Sequence, residues 1–285
     1  MEDKLRKGGE ICKSIKKALP KMVVPGAKIL DVAEWIELQI REAGAQPTFP
    51  ANISIDEVAA HFSPPPGYTE EFKEGQMVKI DFGAHIDGWP TDNAITFDLG
   101  DTEPLLQASL EGLVAAGEII TSRGPEATLS EIGSAIEKAI KGRGFQPIVN
   151  LTGHSMSQWV LHSGLSIHNF NTGSDKAIGE GLFAVEPFAT TGSGRVKNGL
   201  ASEIYRLQKA KKQRLPNLRR LVEEIGKFRT FPFCSRWISQ PEYLGLLVKD
   251  GTLHNYPLLV EVSKGKVSQA EHTFLVKESG AEVIT

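Results

Sequence analysis

The 285-residue sequence predicts an α+β protein in which helices cover an antiparallel sheet. Four segments place apolar residues at helical spacing. Short apolar segments of β-strand character are separated by glycine-rich turns, and one pair of them has the pattern of a hairpin. The length suits either one large domain with an insertion or two domains.

The predicted helices start near the N-terminus. Apolar residues at helical spacing predict a first helix from Asp3 to about Leu19, closed by Pro20. A second helix, in KILDVAEWIELQIREAG, ends at Gly44. Two further helical stretches, LLQASLEGLVAAGEIITS and TLSEIGSAIEKAIKGRG, are each stopped by glycine.

The segment QMVKIDFGAHIDGWPTDNAITFDLG predicts two strands joined by a turn at Asp87-Gly88. With the turn there, Asp81 faces Ala94, and Asp92 lies on the same face of the hairpin as Asp81. Diagonal neighbours of this kind are about 7–8 Å apart at Cα, close enough for the two carboxylates to repel unless a cation lies between them.

For an isolated pair of aspartates, the simpler interpretation is a solvated hairpin face. Asp81, however, lies within the apolar segment MVKIDFGA, where a bare acid would be costly to bury. Three more polar residues occupy short β-like segments: His154 in IVNLTGHSM, Glu186 in GLFAVEPFAT and Glu271 in AEHTFLV. Taken singly, each of these residues is explained as a structural side chain whose hydrogen bonds are satisfied.

Taken together, the four acids and the histidine indicate a metal centre. Two divalent cations would neutralise four carboxylates, and oxygen ligands with one imidazole suit Mn, Fe(II) or Co. Two such ions can polarise a carbonyl and activate water, which is hydrolytic chemistry. The residues themselves indicate a dinuclear hydrolase and name no substrate.

Residues 195–256 differ from the rest of the chain. This segment is basic and is predicted to be helix-rich, then strand-like near its end. Because it interrupts two strand-bearing stretches, we interpret it as an inserted helical subdomain. The predicted division is therefore a catalytic domain formed by residues 1–194 and 257–285, with the insertion at 195–256.

The composition predicts a cytoplasmic protein. The two cysteines, Cys12 and Cys234, exclude a disulfide framework and fit a reducing compartment. The N-terminus is charged and lacks the apolar core of a signal peptide. No stretch approaches the roughly 20 apolar residues of a membrane span, so we expect no membrane association. The net charge of -3 points to no particular partner.

With these motifs identified, the chain resembles the type 2 methionine aminopeptidases of the archaeal kind, which belong to the pita-bread metalloaminopeptidases. The resemblance runs nearly end to end. The matching stretches are FPANISIDEVAAHFSP, VKIDFGAHIDG with TDNAITF, LTGHSM with VLHSG, FAVEPFATTG, and SQAEHTFLV. It implies removal of the initiator methionine from nascent proteins when the next residue is small. The inserted subdomain, winged-helix-like in this family, favours type 2 over type 1.

The resemblance also implies a role for each metal-binding residue. It assigns Asp81 to one ion, His154 and Glu186 to the other, and Asp92 and Glu271 as bridges between the two. Glu186 would also take the proton from the attacking water. Co, Mn or Fe(II) would serve as the ions.

The same matching implies the substrate contacts. His61 and His162 correspond to two metal-free histidines that contact the substrate and assist the transition state or the departing amine. Phe49, Leu161 and Tyr256 would line the methionine pocket. For these three residues, ordinary core packing is the alternative.

Two departures from the family pattern concern Asp56, where asparagine is commoner, and Pro187, which removes a backbone N–H beside the general base. We do not expect Pro187 to abolish activity.

The expected partner is the N-terminal methionine of nascent polypeptides, bound by a monomer with no specific DNA target. A transient ribosome contact through the basic residues of the insertion is a further hypothesis. These residues are Arg195, Lys197, Lys209, Lys211, Lys212, Arg214, Arg219 and Arg220. A solvated helix face balanced by Glu203, Glu223 and Glu224 is the favoured alternative. The long basic extension of eukaryotic type 2 enzymes is not found ahead of the first helix.

Two other functions remain open. A non-catalytic binding protein of the same fold is disfavoured because all five ligands are intact. A proline-directed peptidase of the same fold is disfavoured because such enzymes carry a separate N-terminal domain.

Overall fold

The computed structural model describes all 285 residues and contains six α-helices. Their bounds are α1 Glu2–Ala18, α2 Ile29–Glu42, α3 Glu103–Arg123, α4 Leu129–Gly142, α5 Pro216–Ile225 and α6 Leu244–Lys249. The four helices predicted before residue 150 are confirmed. Helix α4 has a capping box, in which the Thr128 hydroxyl accepts from the Glu131 N–H and the Glu131 side chain accepts from the Thr128 N–H. No helix is long and apolar enough to cross a membrane.

The strands form five small sheets, and every pairing between them is antiparallel. In chain order the strands are β1 Gln46–Pro47, β2 Asn52–Ile55, β3 Val58–Ala60, β4 Met77–Phe82, β5 Ala84–Ile86, β6 Trp89–Pro90, β7 Asn93–Asp98, β8 Gln146–Pro147, β9 Thr152–Met156, β10 Ser166–His168, β11 Gly181–Val185, β12 Phe188–Thr190, β13 Val196–Leu207, β14 Phe233–Cys234, β15 Leu253–Glu261, β16 Val267–Gln269, β17 His272–Lys277 and β18 Gly280–Val283. The predicted fold class, helices with an antiparallel sheet, is confirmed.

The hairpin predicted at Asp87-Gly88 is present. Asp87 has φ 50° and Gly88 has φ 78°, the left-handed pair that a type I′ turn requires. Strand β4 pairs with β7 so that Asp81 lies opposite Ala94, as the sequence predicts. This turn therefore sets the register that places Asp81 and Asp92 on one face.

Two hydrophobic cores support the sheets. Helices α1 and α2 pack on β4, with Ile36 and Phe82 fully buried between them. Helices α3 and α4 pack on β11 and β17 around Phe183, Ile136 and Phe274. Each half of the protein thus buries one face of its strands under a helix pair.

The segment 195–256 departs from the prediction at its start. Residues Val196–Leu207 form strand β13 rather than helix, and β13 pairs with β15, which in turn pairs with β3. Helices α5 and α6 follow and enclose a core of their own that includes Leu221 and Leu247. The division at residues 195 and 256 stays a prediction, although one sheet extends across both positions.

A buried ion pair connects this segment to α2. The Arg236 guanidinium donates to both carboxylate oxygens of Glu37, at 2.8 and 2.7 Å, and the Trp237 indole N–H donates to Glu37 at 2.6 Å. Only 4% of the Arg236 side chain and 2% of the Glu37 side chain are exposed. Such bidentate pairs are directional as well as charged, so this contact fixes how the segment sits against α2.

We expect Glu37→Ala to lower the free energy of unfolding by about 3–5 kcal/mol, because it leaves the Arg236 charge buried and unpaired. Urea denaturation would measure the change. Glu34→Ala is the matched control: Glu34 is exposed on the same helix and forms no ion pair, so its effect should stay within about 0.5 kcal/mol. Equal losses in the two variants would contradict the importance of this pair.

Candidate active site

A cavity of about 260 Å³ brings together every site residue predicted from the sequence. They are Phe49, His61, Asp81, Asp92, His154, Leu161, His162, Glu186, Tyr256 and Glu271. The cavity lies where strands from both halves of the protein meet.

Asp81, Asp92 and Glu271 meet through a backbone junction. Ala94 forms an antiparallel bridge with Glu271, and the Glu271 N–H donates to the Ala94 carbonyl at 3.3 Å. Because Ala94 also lies opposite Asp81, this bridge places both acids beside the same residue. The Thr273 hydroxyl accepts from the Asp92 N–H at 2.8 Å and donates to the Asp92 carbonyl at 2.7 Å.

His154 and Glu186 come from the neighbouring strands. His154 in β9 lies opposite Ala184 in β11. Val185 pairs with His272 and Phe188 pairs with Gln269, so the same register sets Glu186 across from Glu271. The Nε2 atom of His154 lies 3.5 Å from Asp92 Oδ2 and 3.7 Å from Glu186 Oε1. The imidazole nitrogen therefore faces the carboxylates.

Burial strongly perturbs the charges in this cluster. It raises the pKa of Asp81, Glu186 and Glu271 well above the usual carboxyl range, and neighbouring carboxylates raise it further. Burial raises the pKa of Asp92 to about 8 and lowers the pKa of His154 to about 4. Without a cation, the carboxyl groups cannot all ionise at neutral pH, since like charges would share one dry site.

The cluster has the donor atoms that a divalent cation needs. Buried atoms without a hydrogen-bond partner include Asp81 Oδ1, Asp92 Oδ1 and Glu271 Oε1. Buried polar atoms are nearly always satisfied, so this group of orphans calls for an explanation. Ligand atoms of Asp92, His154 and Glu271 all lie within 4.8 Å of one another. Carboxylates with imidazole fit Mn, Fe(II) or Co.

Two further histidines line the cavity. His61 adopts φ 70°, a conformation uncommon for a residue with a side chain, and its Nδ1 lies 3.0 Å from the Pro257 carbonyl. That carbonyl can only accept, so Nδ1 carries the proton and Nε2 is free to accept. The His162 ring centroid lies 4.1 Å from that of His154. Desolvation, with neighbouring histidines, lowers the pKa of both rings and keeps them neutral at pH 7.

His272 is next to a cluster residue but lies on the opposite face of its strand. His272 follows Glu271 and points away from the cluster, with its Nδ1 3.3 Å from the Thr285 hydroxyl and 3.4 Å from Lys16 Nζ. Pro187 lies between β11 and β12, and its carbonyl accepts from the Ala270 N–H at 3.2 Å.

Gln269 is a site residue that the sequence reasoning missed. It is 1% exposed, and its side-chain amide lies 3.4 Å from both Asp81 Oδ2 and Glu271 Oε2. The Thr96 hydroxyl donates to the Gln269 carbonyl at 2.6 Å and accepts from its N–H at 2.9 Å. The spacing of two residues between Gln269 and Glu271 was the available signal, since it puts both on one face of a strand.

Comparisons with known proteins identify the family of the chain. The family model of metallopeptidase family M24 matches residues 3–278. A methionine aminopeptidase from Archaeoglobus fulgidus is 44% identical, covering 100% of this chain and 98% of that protein. Among solved structures, a thermophilic Arx1 has a TM-score of 0.83 at 20% identity, covering 99% of this chain and 89% of that chain. A methionine aminopeptidase from Thermotoga maritima has a TM-score of 0.72 at 23% identity, covering 99% and 95%.

The chain therefore belongs to metallopeptidase family M24. Eight relatives that match over nearly their full length, at 37–44% identity, are archaeal methionine aminopeptidases. Within the family it is of the archaeal methionine aminopeptidase type, a metal-dependent aminopeptidase with the pita-bread fold of its structural neighbours. The resemblance read from the sequence motifs is confirmed.

We expect Gln269→Leu to weaken binding of Mn²⁺ by about 10–100-fold, because supporting hydrogen bonds of this kind orient the ligands of metal sites. Isothermal titration calorimetry would measure the affinity. Gln213→Leu is the control, since Gln213 is also buried but its side chain donates to Asp250 and Thr252, which are not among the predicted site residues. Unchanged Mn²⁺ affinity in Gln269→Leu would remove Gln269 from the site.

Proposed function

We propose that the protein removes the initiator methionine from nascent polypeptides when the second residue is small. The observation that carries the proposal is one cavity in which buried acids and a histidine adjoin apolar and aromatic walls. Removal of an N-terminal methionine is the activity named for the relative from Archaeoglobus fulgidus, a methionine aminopeptidase.

The proposed metal centre holds two divalent ions. Asp81 would bind one ion, His154 and Glu186 the other, and Asp92 and Glu271 would lie between them as bridges. Two divalent ions balance the four carboxylates in charge. When bound, such ions lower the pKa of water and polarise a substrate carbonyl.

Glu186 is the proposed general base. Its carboxyl group lies at the cavity surface with 15% of the side chain exposed, whereas Asp92 is 6% exposed. A carboxylate with this partial access can take a proton from the attacking water and return it to the departing amine. Pro187 still accepts from the Ala270 N–H through its carbonyl, and we expect Glu186 to keep this role.

His61 and His162 are proposed to form hydrogen bonds with the substrate. Both rings are neutral, so each can donate at one nitrogen and accept at the other. His61 is oriented by the Pro257 carbonyl and would accept from a substrate N–H through Nε2. His162, beside His154, would donate to the carbonyl oxygen as negative charge develops on it.

Phe49, Leu161 and Tyr256 are proposed to form the methionine pocket. Phe49 is buried, and Tyr256 packs edge-on against His61 with ring centroids 5.4 Å apart. A thioether side chain packs well against aromatic edges. Ile204 and Pro232 line the same cavity and extend this wall.

A cytoplasmic location, action as a monomer and a transient ribosome contact complete the proposal. In support of that contact, Lys209, Lys211 and Arg214 are exposed and form no ion pair. Clustered exposed cations attract phosphate. These exposed cations are equally consistent with a solvated protein face. Binding to isolated ribosomes, measured at increasing salt concentration, distinguishes the two interpretations.

The activity test compares the cleavage of two peptides by full-length protein loaded with Co²⁺, Mn²⁺ or Fe²⁺. We expect release of methionine from Met-Ala-Ser and little release of alanine from Ala-Pro-Ser. Asp81→Asn should lose metal and activity together, while circular dichroism stays unchanged. Absence of methionine release with every metal would refute the function, and faster cleavage of Ala-Pro-Ser would indicate a proline-directed peptidase.

We expect His162→Ala to keep its metal content but to lower kcat by about 10²-fold or more, since the ring acts on the substrate. Metal analysis and steady-state kinetics would separate the two effects. His168→Ala is the control, because His168 lies outside the cavity and packs against Phe170. A fully active His162→Ala variant would show that the assigned role is wrong.

A further inference from the structure

Arg206 lies at the rim of the active-site cavity, in strand β13. Ile204, two residues earlier in the same strand, lines the cavity. The neighbours of Arg206 in the strand, Tyr205 and Leu207, pack instead into the core that α5 and α6 enclose. Because successive side chains in a strand point to opposite faces, Arg206 stands on the cavity side of the sheet with Ile204.

The partner strand confirms this placement. Arg206 lies opposite His254 in β15, and Tyr256, two residues beyond His254, lines the cavity. The rings of His254 and Tyr256 touch edge to face, with centroids 4.8 Å apart. Residues that lie opposite each other in a sheet share a face, so the guanidinium is next to the aromatic wall of the cavity.

The charge of Arg206 reaches two residues that face the substrate. Burial lowers the pKa of His162 to about 3, and the charges of His154, His61 and Arg206 lower it further. Burial raises the pKa of Tyr256, whereas the Arg206 charge opposes that rise. A cation is therefore present where a peptide would pass between these two side chains.

This cation has no partner in the protein. The arginines that form ion pairs are Arg6, Arg123, Arg143 and Arg236. The Nε atom of Arg206 is buried and has no hydrogen-bond acceptor. Buried polar atoms are nearly always satisfied, and a guanidinium offers five N–H donors. The missing acceptor points to a ligand with negative charge.

The spacing along β13 indicates which part of a peptide lies beside Arg206. Two residues of a strand span about 7 Å, which is the separation of Ile204 and Arg206. An extended peptide covers the same distance of about 7 Å between its first and third residues. With the methionine beside Ile204, the third residue is level with Arg206. Its side chain projects on the same side as that of the methionine, because side chains alternate.

We propose that Arg206 is a specificity-determining residue that binds the carboxylate of an aspartate or glutamate at the third position of the substrate. The assignment rests on the proposed function, since the peptide that loses its methionine has to pass this rim. A carboxylate accepts two parallel hydrogen bonds from a guanidinium, which satisfies both its charge and its geometry. A neutral third residue leaves the cation unpaired, and a lysine there is repelled.

Methionine release from three C-terminally amidated peptides tests the assignment with the full-length, metal-loaded protein. The peptides are Met-Ala-Glu-Ser, Met-Ala-Gln-Ser and Met-Ala-Lys-Ser, and amidation removes a competing terminal carboxylate. We expect kcat/KM for the glutamate peptide to exceed that for the glutamine peptide about tenfold, with the lysine peptide lowest. Equal values for all three would overturn the assignment and leave the proposed function intact. No release from any peptide would refute the proposed function, and the assignment with it.

Variants locate the preference. In Arg206→Gln the ratio of kcat/KM between the glutamate and glutamine peptides should fall to about one, and Arg206→Glu should favour the lysine peptide over the glutamate peptide. Arg220→Gln is the matched control, because it removes an exposed and unpaired arginine on α5, and it should keep the wild-type ratio. A general loss of folding would lower all three rates together without reversing their order. A wild-type ratio in Arg206→Gln would overturn the assignment.

Discussion

Repulsion among buried carboxyl groups is the constraint on which the active-site architecture depends. Left to themselves, Asp81, Asp92 and Glu271 would separate or take up protons, as their raised pKa values indicate. The backbone prevents separation. The Ala94–Glu271 bridge and the two hydrogen bonds of the Thr273 hydroxyl fasten strands from both halves of the protein against each other. A divalent cation would relieve the repulsion among carboxyl groups that the strands hold together.

The segment 195–256 and its flanking strand shape the substrate side of the same cavity. Strand β15 supplies Tyr256 as a wall, and the carbonyl of Pro257 orients His61. Because the ion pair between Arg236 and Glu37 fixes this segment on α2, it also limits how far the wall can move from the buried acids. Structural stability at Glu37 is thus connected to the geometry of the substrate pocket.

Local features of the fold could be predicted from sequence. The type I′ turn at Asp87-Gly88 fixed the register of Asp81 against Ala94, because both strands and the turn lie within one short segment. The site residues could be named because their motifs match a family. Strand β13 was missed: SEIYRL contains good helix formers, and its strand conformation depends on pairing with Leu253–Glu261, which no local pattern reveals. Gln269 was missed because an amide has no charge pattern of its own.

The backbone junction also sets the order in which the protein can be completed during synthesis. Asp92 and Thr273, which it joins, are 181 residues apart. While the chain is still being made, the hairpin carrying Asp81 and Asp92 emerges early and has no Glu271 to face. Contacts of such long range form late and slowly. A growing chain therefore exposes two acids without a functional site, and the enzyme becomes competent only when its last strands have been translated.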